Sequence, residues 1–267
     1  EWVWDPASDG FLWRPLAGTT TGAPGTAIAA LREDLYAVLG ANELIGCGST
    51  LPPGEFRAVS LAPAPGFGER EDHARAVVWV AGKAGALAFG RLGEALTPVS
   101  SGVSQDLNAI AMRTGRDGVV VGDGGTILEI EREKTRLVEP NISPSAAVEP
   151  ATAAFRAVAW GLVPELGQLA LAVGDKGTIA VRLEAGWKVE RLPGEVDLAA
   201  VAFDRYGQPW IGGKGGLVAV RSGGVWREAR LPAANDVVTL AVDPLGAVLV
   251  GDASGAMWTR AEGATTW

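Results

Sequence analysis

The sequence predicts an all-β chain, a β-propeller of four-stranded antiparallel blades, with seven blades favoured and six as the alternative. Three observations carry this. Val121-Gly122-Asp123-Gly124-Gly125-Thr126-Ile127 and Val173-Gly174-Asp175-Lys176-Gly177-Thr178-Ile179 are nearly the same heptapeptide, with weaker copies starting at Ala81, Ile211 and Val250. The leading glycine recurs at 82, 122, 174, 212 and 251, in steps of 40, 52, 38 and 39 residues. Each unit also repeats one order of short apolar runs and turns. A period of about 40–45 residues with several strands per unit is the signature of propeller blades.

The elements follow in order. Trp2-Val3-Trp4-Asp5-Pro6 to Gly10-Phe11-Leu12-Trp13 reads as strand, turn, strand, an additional irregular unit. The unit at 26–55 is compressed, with an inner strand at Thr26–Leu31, a second at Tyr36–Gly40 and a third at Leu44–Gly48. The next inner strands are Phe56–Ala62, Leu107–Arg113, Phe155–Gly161, Leu198–Asp204 and Val237–Asp243, four of them with alanine at one place (Ala58, Ala109, Ala157, Ala200). Small residues suit a strand crowded around an axis. Asp204-Arg205-Tyr206-Gly207 and Asp243-Pro244-Leu245-Gly246 carry turn chemistry. The Gly-Asp-x-Gly turn that follows the second strand requires positive φ, which glycine supplies. Trp187, Trp226 and Trp267 each open a fourth strand and fill the outer part of a blade-to-blade gap. Segments 63–76 and 139–154 interrupt the period as long loops.

Composition bounds the function. The 267 residues read as a single propeller domain, 1–267, as a processed chain or as a piece of a longer one, since the chain starts at Glu1. Hydrophobic residues make up 48%, enough for a large core, and the net charge of −8 disfavours nucleic acid and anionic membranes. No run of about 18 apolar residues is present, so no membrane insertion is expected. Arginine far outnumbers lysine among the 23 basic residues, a bias of GC-rich bacterial coding. One cysteine, Cys47, allows no internal disulfide, and neither the redox compartment nor the localisation follows from the sequence.

The third-to-fourth strand passages, Gly177-Thr178-Ile179 to Trp187, Gly216-Leu217 to Trp226 and Gly255-Ala256 to Trp267, resemble degenerate BNR (Asp-box) repeats. The pattern over residues 26–267 is similar to propellers of the photosystem II stability/assembly-factor type, and the Asp204–Leu217 unit resembles the propeller repeats of hybrid sensor kinases. These resemblances imply protein assembly or ligand sensing. The Ser and Asp that precede the Gly-Gly of a full Asp-box are mostly absent here, with Glu262 the nearest stand-in.

Chemistry is sparse. One histidine (His73) and one cysteine cannot form a His/Cys zinc site. Asp123, Asp175 and Asp252 recur at a turn but lie in different blades without an Asp-x-Asp-x-Asp loop, so each is expected to cap its own turn, and no metal or cofactor is expected. Gly-x-Gly here precedes no helix and makes no phosphate loop. Of the tyrosines, Tyr36 and Tyr206, neither sits in a local sialidase pattern. The expectation is a non-catalytic interaction or assembly scaffold. Its partner face is the second-to-third strand turn, carrying Lys83, Asp123, Asp175, Lys176, Lys214 and Asp252, a mixture of signs suited to another protein or to subunits of a larger complex. A propeller glycoside hydrolase with paired carboxylates, or a small-ligand sensor with a polar axial pocket, are the alternatives.

Overall fold

The computed structural model describes residues 2–5, 10–13, 27–32, 35–40, 43–62, 76–131, 134–137, 141–142, 153–164, 167–183, 186–243 and 245–267. An N-terminal hairpin, β1 (Trp2–Asp5) and β2 (Gly10–Trp13), forms a sheet of its own. The first blade is β3 (Ala27–Arg32), β4 (Leu35–Leu39) and β5 (Leu44–Ile45). The second is β6 (Phe56–Ala62), β7 (Val77–Gly82), β8 (Leu87–Arg91) and β9 (Thr97–Pro98). The third is β10 (Leu107–Thr114), β11 (Asp117–Gly122), β12 (Ile127–Glu131) and β13 (Lys134–Leu137). A short β14 (Asn141–Ile142) then pairs in parallel with the outer strand of the fourth blade, which is β15 (Phe155–Val163), β16 (Gly167–Gly174), β17 (Thr178–Leu183) and β18 (Gly186–Arg191). The fifth is β19 (Leu198–Phe203), β20 (Pro209–Gly213), β21 (Leu217–Ser222) and β22 (Val225–Glu228). The sixth is β23 (Val237–Val242), β24 (Val248–Asp252) and β25 (Met257–Arg260).

The architecture is thus a propeller of antiparallel blades, but the described residues form six blades, not the seven favoured by the sequence. The N-terminal hairpin pairs only with itself and builds no seventh blade. Trp267, expected to open an outer strand, instead packs on the fifth blade and donates its Nε1–H to the Ala229 carbonyl at 2.7 Å. Segments 63–75 and 143–152, including His73, lie outside the described residues.

Among the described residues five apolar seams join the six blades. Leu39, Leu44 and Cys47 of the first blade meet Phe56, Val78 and Val80 of the second. Trp79, Ala81 and Leu87 then face Leu107, Val120 and Leu128. Val119, Val121 and Ile127 pack on Phe155 and Trp187, and Leu171, Val173 and Ile179 on Leu198, Ile211 and Trp226. The last seam sets Trp210 and Val218 against Val237, Leu240 and Val250. Each fully buried side chain of this size contributes about 1.5–3 kcal/mol. Cys47 is buried, as a small apolar residue would be.

The pairing register shifts the repeat by one residue in the last two blades. Gly82, Gly122 and Gly174 pair with the first residues of their inner strands, Phe56, Leu107 and Phe155. The residues so placed in the fifth and sixth blades are Gly213, opposite Leu198, and Asp252, opposite Val237. The structural steps are therefore 40, 52, 39 and 39, and Asp252 is not the counterpart of Asp123 and Asp175. Every inner strand from the second blade onward also has a register break after its first residue, which leaves Arg57, Asn108, Arg156, Ala199 and Val238 as the extra residue. Bulges re-aim side chains, and the first three of these reach the site described next.

Candidate protein-docking face

The second-to-third strand turns of the second to fifth blades share one backbone. Their first residues are Lys83, Asp123, Asp175 and Lys214, and each donates its N–H to the carbonyl just before its own inner strand: Glu55, Asp106, Ala154 and Asp197, at 2.8–2.9 Å. This bond places the turns and the starts of the inner strands on one face. It also explains the glycine before each turn. A Cβ at Gly82, Gly122, Gly174 or Gly213 would fall 1.9, 2.2, 2.0 or 2.2 Å from that same carbonyl oxygen. The middle residue of each turn is left-handed, and in two blades it is not glycine: Ala84 (φ 51°) and Lys176 (φ 54°).

What holds these two residues strained is an aspartate of the following blade. The Asp106 carboxylate accepts the Ala84 N–H at 2.9 Å, Asp197 that of Lys176 at 2.8 Å, and Asp236 that of Gly215 at 2.9 Å. Each stands immediately before an inner strand, so one residue ties its own blade to the turn of the preceding blade. The fourth blade has Ala154 at this position, and there the bulge residues take over. Asn108 donates to Asp123 at 2.7 Å and to the Phe155 carbonyl at 3.0 Å. Arg156 binds Asp175 through two nitrogens at 2.9 Å and lies 3.6 Å from Asp123. Arg57 pairs likewise with Asp106 at 2.9 Å.

The six residues singled out in the sequence have different fates. Lys83 is paired with Glu55, and Lys214 with Asp197 at 2.7 Å. Asp123 and Asp175 do not cap their own turns; they are held by Asn108 and Arg156. Lys176 is exposed and enters no ion pair among the described residues. Asp252 is buried, 3% exposed, and caps its own turn as a carboxylate that accepts from the Ser254 hydroxyl at 2.5 Å, the Ser254 N–H at 2.8 Å and Trp258 Nε1 at 2.9 Å. It belongs to the scaffold and not to the exposed face. Arg57, Asp106, Asn108, Arg156, Asp197 and Asp236 complete the face and were missed. The signal for three of them was present as an aspartate directly before Leu107, Leu198 and Val237.

The electrostatics follow from these contacts. The Lys176 N–H and the Lys214 ammonium hold Asp197 below the ordinary carboxylate value, and Lys214 is raised in return. Asp175 raises Arg156. The Ser254 hydroxyl, followed by Trp258 and Asn235, lowers Asp252. Charges alternate around the face and largely neutralise one another. Beside the second blade's turn a recess of about 500 Å³ opens, lined by Pro52, Pro53, Phe56, Pro98, Ser101 and Val103.

On the opposite face Arg205 binds both Glu262 oxygens at 2.7 and 2.6 Å, Tyr206 donates its hydroxyl to Glu262 at 2.7 Å, and the guanidinium lies 5.0 Å from the Tyr206 ring centre. The Tyr206 bond, with Arg205 beside it, lowers Glu262. This group clasps the fifth blade's turn to the sixth blade's end.

No family profile and no curated protein matches the chain. Among solved structures it is similar to one described as a streptogramin B lyase structure, with 12% identity and a TM-score of 0.45 over 59% of this chain and 55% of that one. The chain thus spans about half the length of that protein. It is also similar to one described as YCF48 bound to D1 peptide, with 14% identity and a TM-score of 0.40 over 77% of this chain and 85% of that one.

Proposed function

We propose that this chain is a non-catalytic scaffold that docks another protein on the face of the second-to-third strand turns, and that its repeats are degenerate members of the BNR type. The observation that supports this most is the staple that fixes three of the four turns. Asp106, Asp197 and Asp236 hold the turns of the second, fourth and fifth blades across blade boundaries, so the face is ordered before any partner arrives and loses little conformational freedom on docking. The alternating, internally paired charges give that face a pattern of signs and little net field, which suits a partner with a matching pattern and not a polyanion.

Lys176 is the contact that can be tested without breaking a pair, because it alone of the proposed cations is exposed and unpaired among the described residues. The experiment is quantitative affinity capture of the full chain from its native source, comparing wild type, Lys176→Glu and, as control, Lys188→Glu on the outer strand β18. The expected result is a stoichiometric partner, kept by the control and reduced at least about ten-fold by Lys176→Glu, a loss of about 1.4 kcal/mol. A partner bound equally by all three chains, or none at any salt concentration, contradicts the proposal.

A further inference from the structure

The outer rims of the last three seams repeat one arginine, and in the last seam its acid is missing. Between the third and fourth blades, Glu129 is held by Arg136 of its own blade, by Arg182 of the next at 2.8 Å and by Trp187 Nε1 at 3.0 Å. One seam later Glu190 accepts from Arg221 at 3.0 Å and from Trp226 Nε1 at 3.2 Å. Arg182 and Arg221 stand five residues after Gly177 and Gly216, which end their turns, and Arg260 of the sixth blade stands five after Gly255. The second cation recurs as well. Arg136 is opposite Glu129 on the outer strand of the third blade, and Arg227 is opposite Val220 on that of the fifth. Glu129 and Val220 are equivalent, since each pairs with the residue three before the register glycine, Val119 before Gly122 and Trp210 before Gly213. Ala229, whose N–H bonds the Val218 carbonyl, stands where Glu190 stands opposite Ile179. Both acid positions of the fifth blade are therefore apolar, while both arginines are kept.

Arg260 is nevertheless held in place. Its Nε–H goes to the Ala264 carbonyl at 2.6 Å, and its guanidinium lies 5.6 Å from the Trp210 ring centre and 5.9 Å from that of Trp267, within cation–π reach of both. Its two terminal nitrogens have neither a hydrogen bond nor an ion pair among the described residues, and neither is buried. Arg227 is exposed and enters no ion pair among the described residues either. The carboxylates bordering the seam are engaged elsewhere. Asp204 accepts from the Tyr206 and Gln208 N–H groups and from Trp210 Nε1, Glu262 from Arg205 and Tyr206, and Glu228 from Arg230. A guanidinium fixed by one N–H and two rings presents its outer fork already oriented, which is the geometry that receives a carboxylate through paired charge-assisted bonds.

We propose that Arg260, with Arg227 of the fifth blade, is a binding site for a carboxylate supplied from outside the chain, in the position that Glu129 fills two seams earlier. The site lies at the far end of the third strand from the docking face and stands independently of it. An acidic side chain of another protein and a free organic acid share this chemistry, and two probes separate them. The 15N-labelled full chain is titrated with a capped tri-glutamate peptide, with benzoate and, as control, with capped tri-glutamine, following the Arg260 Nε–H and Trp267 indole signals. The expected result is a saturable shift with an acid and none with tri-glutamine. Arg260→Gln weakens binding at least about ten-fold, whereas Arg116→Gln, which removes an exposed charge in another blade, leaves it unchanged. Tighter binding of tri-glutamate assigns the source to a protein side chain, and tighter binding of benzoate to a small organic acid. Ala229→Glu refills the site from within the chain. It abolishes the shifts and raises Tm by about 2–4 °C, and the gain disappears in the Arg260→Gln background. No saturable shift, an equal loss in Arg116→Gln, or binding that survives Ala229→Glu overturns the proposal.

Discussion

A single aspartate of the following blade holds the turn of the second, fourth and fifth blades on the candidate face. Asp197 accepts the Lys176 N–H at 2.8 Å and pairs with the Lys214 ammonium at 2.7 Å, so it joins the fourth blade's turn to the fifth blade. Its side chain is 35% exposed, and solvent screening reduces what the charge contributes. Asp197→Ala should therefore cost about 1 kcal/mol, a drop in Tm of about 2–4 °C, with Asp197→Asn in between because it keeps an acceptor. The same variant should raise the hydrogen-exchange rate of the Lys176 amide specifically; an unchanged amide would show that the left-handed turn holds itself. Asp197 and Asp252 both have folded pKa values lowered from the ordinary 3.8. A lowered value means stability that is complete above the unfolded pKa and is lost as pH falls through the folded one. Thermal unfolding should thus be independent of these two groups near neutrality and weaken progressively below about pH 4. In Asp252→Asn the acid-induced drop should be visibly smaller, with a lower Tm at pH 7, and identical pH profiles would refute this assignment.

At the scale of the element, the blade repeats a network as well as a fold. Glu129 on β12 accepts from Arg182 at 2.8 Å and from Trp187 Nε1 at 3.0 Å, both on the next blade. Glu190 on β18 does the same one blade later, from Arg221 at 3.0 Å and Trp226 Nε1 at 3.2 Å. Burial pushes Glu129 up, but Arg182, Arg136 and Trp187 outweigh it and leave its pKa lowered. The tryptophans read in the sequence as outer-seam packers thus also carry a polar bond across the seam. Trp187 is 1% exposed, and Trp187→Ala should cost about 3–5 kcal/mol. Trp187→Phe keeps most of the packing, leaves Glu129 Oε1 its bond from Arg182 and should cost less than half as much in denaturant unfolding. Strand positions were legible because small-residue alternation and Asp…Gly turns are local signals. Asp204 accepts the Tyr206 and Gln208 N–H groups as its turn requires. The one-residue slip in the fifth blade arose because the adjacent Gly212 and Gly213 satisfy the same motif, and in the sixth because Gly251-Asp252 imitates the Gly-Asp of the earlier turns. Only pairing to Leu198 and Val237 fixes the equivalent positions, Gly213 and Asp252.

At the scale of the molecule, the face itself was legible and its chemistry was not. Lys83, Asp123, Asp175, Lys176 and Lys214 do gather at equivalent turns, since the period alone dictates it. That Arg156 would span Asp123 and Asp175 depends on a bulge and on a contact between neighbouring inner strands, which no local pattern encodes. The blade count failed for a related reason: a hairpin read from alternation does not reveal which sheet it joins. The central claim is that a pre-ordered ring of turns docks a protein. Hydrogen exchange of the full chain with and without its captured partner tests this most directly. The account predicts added protection at 83–86, 123–126, 175–178 and 214–217, with little change at the opposite turns, 114–117, 204–207 and 222–225. Protection confined to those opposite turns, or spread evenly through the strands, would contradict it.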